Sequence, residues 1–321
     1  IFNELYEGFY TERKKYPKSD PRNYVLKIIL NGSYGLSKDA FSFLFDPKWQ
    51  LEICVNGQLI LTLLTEKVFN VIPEAQIIFE NTDGAMYKIP REKMHLLEHA
   101  CKIVEEIVNI PLEIQECKKI IARDVNNYIN IISDDNIKFK GAFEIDRDYH
   151  KNHSKRVVPL ALANYYINNV EVSDTILNHL KGKDYSFAEN HGIFDFCLGA
   201  KMKGQNELYA TEYTVDGKVE EKLGKMTRYY VSDSGVQLIK KLPPLPKNML
   251  TETEKHNIKF GGIQTDIFSV IDDVKVDPSD RETNIESGWK CKVFNKYYES
   301  DDYNINFKYY IDECNKIINK L

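Results

Sequence analysis

The chain has no C-x-x-C pair, no internal repeat, no low-complexity tract and no long apolar run. Its six cysteines, Cys54, Cys101, Cys117, Cys197, Cys291 and Cys314, are scattered and have no histidine at ligand spacing. A disulfide framework or a structural zinc is therefore not expected, and the thiols read as reduced and mostly buried. No uncharged apolar stretch approaches the roughly 18 residues of a membrane span, so no membrane partner is expected. The basic-then-apolar layout of a signal peptide is missing as well, which points to the cytoplasm, or a host-cell cytoplasm for a viral protein. The first residues are Ile-Phe-Asn-Glu, without a methionine, and suggest a fragment or a chain whose start was removed.

What is present is an ordinary globular composition. With 321 residues, 43% hydrophobic and 28% charged, the chain suggests about two domains with a sizeable core. The 20 tyrosines and 16 phenylalanines exclude a disordered chain. The formal charge is −5, unevenly spread: residues 1–50 carry +2, 51–150 carry −6, 151–260 carry +3 and 261–321 carry −4. An acidic middle between mildly basic flanks is compatible with a metal-binding centre between phosphate-binding sides, and equally with a solvated surface.

The pattern predicts a helix over 2–16 with a basic end at Arg13, Lys14 and Lys15, broken at Pro17 and Pro21. A second helix runs from about Asn23 to Tyr34 and is expected to stop at Gly35. Asp46-Pro47 opens a third, which reaches Val71 on the apolar series Leu51, Val55, Leu59 and Leu63. Strands at 76–79 and 85–89 flank Asp83-Gly84, a hairpin signal, and an amphipathic helix spans 90–109. Further strands are predicted at 112–116, 127–132 and 137–143. The character changes near His150: helices at 157–170 and 173–181, polar segments to Arg228, a stiff linker at 242–246 and a final helix over 303–321. The expectation is an α+β fold, an antiparallel sheet backed by helices.

Four constellations carry candidate chemistry, although each alone has a plain structural reading. Lys27, Asn31 and Tyr34 fall at i, i+4 and i+7, so one helix face presents an ammonium, an amide and a phenol, a surface suited to a nucleoside triphosphate. It is also an amphipathic helix that ends in glycine. Asp83 stands at a hairpin tip, where a rigid outward carboxylate suits a divalent cation, or is simply an Asp-Gly turn. Lys138 and Lys140 alternate on a strand after Asn126-Asn127-Tyr128 and face one side, toward phosphates or toward water. The basic run His150 to Arg156, with Lys151 and Lys155, suits a loop that grips a nucleic-acid backbone.

In order and spacing, K-x-x-x-N-G-S-Y-G, then N-T-D-G, then K-x-K-G resembles family B DNA polymerases, in particular bacteriophage members. The resemblance implies the end of the fingers at 1–45, the palm at 46–149, and the thumb with the C-terminal tail at 150–321, the last mixed but mainly helical. It further implies that Lys27 contacts the triphosphate of a dNTP, Asn31 positions it and Tyr34 lies near the nascent base pair. Arg13 and, more weakly, Lys18 join the triphosphate contacts. Asp83 becomes the catalytic ligand of two Mg2+ ions. Thr82, Tyr128, Lys138, Lys140, Gly141, Lys151 and Lys155 face the DNA primer–template.

The departures are as informative as the matches. Gly32 replaces a common serine, Asn81 replaces the first Asp of D-T-D, and Asn126 and Asn127 stand where basic residues usually precede the tyrosine. The family's other catalytic Asp, in a D-x-x-S-L-Y-P-like motif, has no counterpart, nor do exonuclease carboxylates. Two-metal chemistry from one hairpin carboxylate is inadequate, since both ions need bridging anions. The expectation is thus a truncated or split DNA-directed DNA polymerase, inactive unaided, whose partner is the N-terminal part with the missing Asp. The rival readings are a non-catalytic primer–template-binding protein derived from a polymerase, and another palm-type nucleotidyltransferase.

Overall fold

The computed structural model describes residues 2–82, 84–146, 154–242, 282–294 and 303–320. The chain divides into two compact units, Ile1–Glu116 and Cys117–Leu321. The fold is α+β, and every strand pairing among the described residues is antiparallel.

The first unit contains helices α1 (Phe2–Lys14), α2 (Pro21–Leu36) and α3 (Pro47–Val71), the hairpin of β1 (Gln76–Glu80) and β2 (Ala85–Lys88), and α4 (Met94–Val108). Asp20 and Asp46 cap α2 and α3, each with a proline in the first turn. Gly35 does not end α2. Its φ is not positive, and the helix closes one residue later, where the Ser37 N–H and hydroxyl both donate to the Tyr34 carbonyl. The core of this unit is the seam between α3 and α4, built from Leu64, Val68, Ile72, Ala100, Cys101 and Val104.

Of the apolar series that carries α3 to Val71, Leu63 packs on this seam and the other three do not. Leu51, Val55 and Leu59 are 63%, 42% and 60% exposed. The helix is apolar on two sides, and only the side carrying Leu64 and Val68 meets α4. Nor is 112–116 a strand. The Leu112 N–H donates to the Glu105 carboxylate at 2.5 Å, and regular pairing begins only at Lys119.

The second unit opens with a meander of β3 (Lys119–Asp124), β4 (Asn127–Ser133) and β5 (Asn136–Lys140). Helices α5 (Val157–Asn168) and α6 (Val172–Asn178) follow, and α7 (Phe307–Ile318) closes the chain. A six-stranded sheet is organised on one long strand, β9 (Met226–Lys241). Its first half pairs with β6 (Leu198–Lys201) and β11 (Cys291–Val293). Its second half pairs with β7 (Glu207–Thr214) and β10 (Glu282–Asn284), and β8 (Gly217–Lys222) lies beyond β7. A Cβ on Gly235 would stand 2.2 Å from the Cys291 carbonyl oxygen, so only glycine lets β9 pass β11.

This sheet corrects the expected polar segments and the mainly helical character of 150–321: among the described residues the region is mixed, with six strands beside three helices. β8 lacks an apolar alternation because charge carries it. Lys218 bridges Glu220 and Glu282, Lys241 bridges the same two carboxylates, and Lys222 pairs with Glu207. α5 is buried from Val157 to Ala163. Tyr310 of α7 pins the core: its hydroxyl donates to the Phe196 carbonyl at 2.8 Å and accepts from the Val231 N–H at 3.0 Å. All six cysteines are unpaired and four are buried. No helix among the described residues is long and apolar enough to cross a membrane. Residues 243–246 of the expected linker lie outside the described residues.

Candidate functional site

Two of the first-unit candidates, Tyr34 and Thr82, lie against α3. Tyr34, on the last turn of α2, places its hydroxyl 3.0 Å from Sγ of Cys54. Three residues along the same face of α3, an ideal Cβ on Gly57 would lie 3.6 Å from the carbonyl oxygen of Thr82. Side chains three apart on a helix are neighbours, ~5–6 Å between Cβ atoms. The end of the nucleotide-type helix and the hairpin connection thus rest on adjacent turns of one helix, although 48 residues separate them in the chain.

The hairpin is held from a second point. Thr65 of α3 bonds the Tyr87 hydroxyl at 2.7 Å and also donates to the Glu80 carboxylate. Burial, and then the nearby Glu80 charge, raise the Tyr87 phenol above its ordinary pKa against the lowering effect of the Thr65 bond. Glu80 pairs with Ala85, and the Asn81 N–H reaches the Gly84 carbonyl at 2.8 Å, so the tight turn is as expected. Thr82 is exposed, and its N–H and hydroxyl both donate to the Asn81 side chain. Asp83, the expected metal ligand, lies outside the described residues, as does Lys151. Among the described residues no group of three carboxylate, histidine or cysteine side chains is placed to hold a metal.

Lys27 and Asn31 are exposed on α2, one turn apart, with no side-chain partner among the described residues. Arg13 is tied to the start of that helix: its Nε donates to Asn23 Oδ1 at 3.2 Å, and the buried Asn23 amide returns bonds to the Arg13 and Tyr16 carbonyls. Lys18 is exposed and pairs loosely with Glu113 at 3.3 Å.

In the second unit, the K-x-K-G strand alternates as its sequence requires. Ile137 and Phe139 are half-buried and pack on the core, while Lys138 and Lys140 are exposed on the opposite face. Across β4, Tyr128 stands opposite Lys140 and Asn130 opposite Lys138. Asn130 is 7% exposed and its Oδ1 has no hydrogen-bond partner among the described residues. Gly141 is at φ +62°, where a Cβ would meet the Asn126 carbonyl oxygen at 2.2 Å, so the glycine of this motif is required by the turn itself.

The basic run ends inside the fold. Lys155 pairs with Glu313 of α7 and stands 5.8 Å above the Tyr309 ring. Arg156 is buried and spends its guanidinium on Asp195 at 2.9 Å, Asp146 at 2.8 Å and the Glu189 carbonyl at 2.9 Å. Asp195 also meets His179 Nε2 at 2.9 Å, and His179 Nδ1 meets the Tyr185 hydroxyl at 2.6 Å. Burial alone would raise the Asp195 pKa, but bonds from His179, Arg156 and the His191 N–H outweigh it, and the carboxyl titrates below its usual range. Burial lifts the Tyr185 phenol to about 12. Arg156 thus organises the interior and offers nothing to a phosphate backbone.

Sequence reasoning missed Gly57, Asn23 and Asn130. A glycine inside the apolar run of α3 is the usual mark of a close approach, and an asparagine amid isoleucines on β4 is the mark of a polar site on a strand face. No protein-family model matches the chain, and no curated protein matches it.

Proposed function

We propose that this chain is the fingers-end, palm and thumb part of a phage-like family B DNA polymerase, completed by a polypeptide segment that carries the second catalytic Asp. The observation that supports the reading is the convergence on α3. The two motifs expected to take the dNTP and the metal are 48 residues apart, yet Tyr34 reaches Cys54 and the Thr82 carbonyl lies beside Gly57, on adjacent turns of α3. In this reading the primer 3′-hydroxyl attacks the dNTP α-phosphate and pyrophosphate leaves. Asp83 and the Asp from outside the chain would hold two Mg2+ ions, which would supply charge stabilisation for the transferring phosphoryl group. Lys27, with Arg13 behind it, neutralises charge growing on the triphosphate. The lysine face of β5, with Tyr128 beside it, takes the primer–template.

The test is primer extension by the completed enzyme. Asp83→Asn is expected to lower the extension rate by three orders of magnitude or more while primer–template affinity stays within about twofold. Equal extension rates for the two proteins would refute the metal role.

A further inference from the structure

We infer that the cleft between α1 and the start of α3 takes a guanidinium group, the arginine side chain of a partner polypeptide. This goes beyond the polymerase reading and needs no part of it.

The cleft is open, about 490 Å3 in volume, and lined by Phe2, Asn3, Tyr6, Glu7, Tyr10 and Trp49. On α1 the three rings recur every fourth residue, with Asn3 and Glu7 beside them, so π-faces and hydrogen-bond acceptors share one side of the helix. Trp49 meets them from the first turn of α3, where its N–H donates to the Asp46 cap at 3.0 Å. The Phe2 ring lies 5.8 Å from that of Trp49 at 89°, and 5.9 Å from that of Tyr6 at 35°. Two nearly perpendicular aromatic walls therefore form a corner. Phe2 and Tyr10 are exposed, and Tyr6 and Trp49 are half-buried.

The chemistry of the walls selects a cation that carries donors. Ring faces attract cations, most strongly the face of a tryptophan. The Glu7 carboxylate is exposed and has no hydrogen bond or ion pair among the described residues, and neither has the Asn3 side chain. Lys14 stands 4.3 Å over the Tyr10 ring at the far end of the stripe, but no cation covers Phe2, Tyr6 or Trp49 among the described residues. Nearby, the same unit shows this combination filled. The Arg22 guanidinium lies 4.1 Å over the Tyr16 ring, and its Nε and Nη2 donate to the two Asp20 carboxylate oxygens at 3.1 and 2.7 Å. The cleft offers ring and carboxylate in the same way, without the guanidinium. A planar fork lies flat on a ring while it bonds a carboxylate twice, which a hydrated ammonium cannot do. The aliphatic stem of an arginine also covers ring surface that a free ion leaves wet.

The experiment is titration of the full chain, read by tryptophan fluorescence, with four probes: the doubly capped amino acids N-acetyl-arginine amide, N-acetyl-citrulline amide and N-acetyl-lysine amide, and the free guanidinium ion. The Trp49→Phe protein shows which part of the signal comes from Trp289. The arginine probe is expected to give a saturable Trp49 signal at millimolar concentration. Citrulline, which replaces the guanidinium by a neutral urea, is expected to bind roughly tenfold weaker or less, and the lysine probe and the free ion each about threefold weaker. Glu7→Gln is expected to weaken arginine binding about three- to fivefold, and Phe2→Leu with Tyr6→Leu, which keeps apolar bulk, about tenfold. No residue of α1 is buried, so the variants should fold, which circular dichroism verifies. The absence of a saturable Trp49 signal, citrulline binding equal to that of arginine, or unaltered binding by either variant would overturn the inference. So would lysine or the free ion binding as tightly as arginine, the first by denying the guanidinium and the second by denying the side chain.

Discussion

The two units solve the same burial problem with opposite success. Among the described residues, the first unit buries eight apolar residues and leaves 22 large ones exposed, whereas the second buries 30 and exposes eight. The difference lies in what each helix meets. α5 is enclosed through seven consecutive residues, but α1 buries none, and α3 presents Leu51, Val55 and Leu59 to water on its outer side. The second unit closes its own core and spends buried charge on holding it, through Arg156, Asp195 and His179.

The comparison is broken most severely at Asp195. Asp195→Asn leaves Arg156 without its buried partner and is expected to cost the second unit about 3–5 kcal/mol. Trp289 of the second unit and Trp49 of the first allow the two to be followed separately by fluorescence in denaturant. The Trp289 transition should move to lower denaturant while the Trp49 transition stays put; equal movement of both would deny the units separate stability. The pH dependence has a definite sign. The folded Asp195 carboxyl titrates below its unfolded value, so its contribution is full above the ordinary carboxylate range and is lost as pH falls through it. Acidification therefore weakens the second unit of the wild type, and Asp195→Asn flattens that dependence.

The smallest effect belongs to the outer stripe of α3. Leu51→Gln with Leu59→Gln should change first-unit stability by less than about 0.5 kcal/mol, since neither side chain is buried. A loss above about 1.5 kcal/mol, read on the Trp49 transition, would mean that the stripe is covered in solution.

Where local chemistry decides, the sequence was legible. The Asp-Pro start of α3, the Asp-Gly hairpin and the alternation at Lys138 and Lys140 are where pattern alone puts them, whereas α2 opens at Pro21, two residues before the expected Asn23. It misled where tertiary contact decides. α3 has two apolar sides and only contact with α4 selects the one with Leu64 and Val68. β8 is tied to β7 by Lys222–Glu207 and to β9 by Lys241–Glu220, ion pairs that no period-two pattern reveals. Of the site, Lys27 and Asn31 on one face of α2 could be read from spacing, but the meeting of Tyr34 and Thr82 on Cys54 and Gly57 is a long-range event. Arg156 looked like a phosphate contact because its neighbours are basic; its carboxylate partner Asp195 lies 39 residues away.

The central claim is that the exposed face of α2 takes the triphosphate beside the hairpin that takes the metal. Single-turnover extension by the completed enzyme, measured against dNTP concentration for the wild type and Lys27→Ala, tests it most directly. The loss of a charged contact of about 1.5–3 kcal/mol predicts an apparent dNTP affinity weaker by roughly 10- to 150-fold, with primer–template affinity unchanged. An unaltered dNTP dependence would contradict the account.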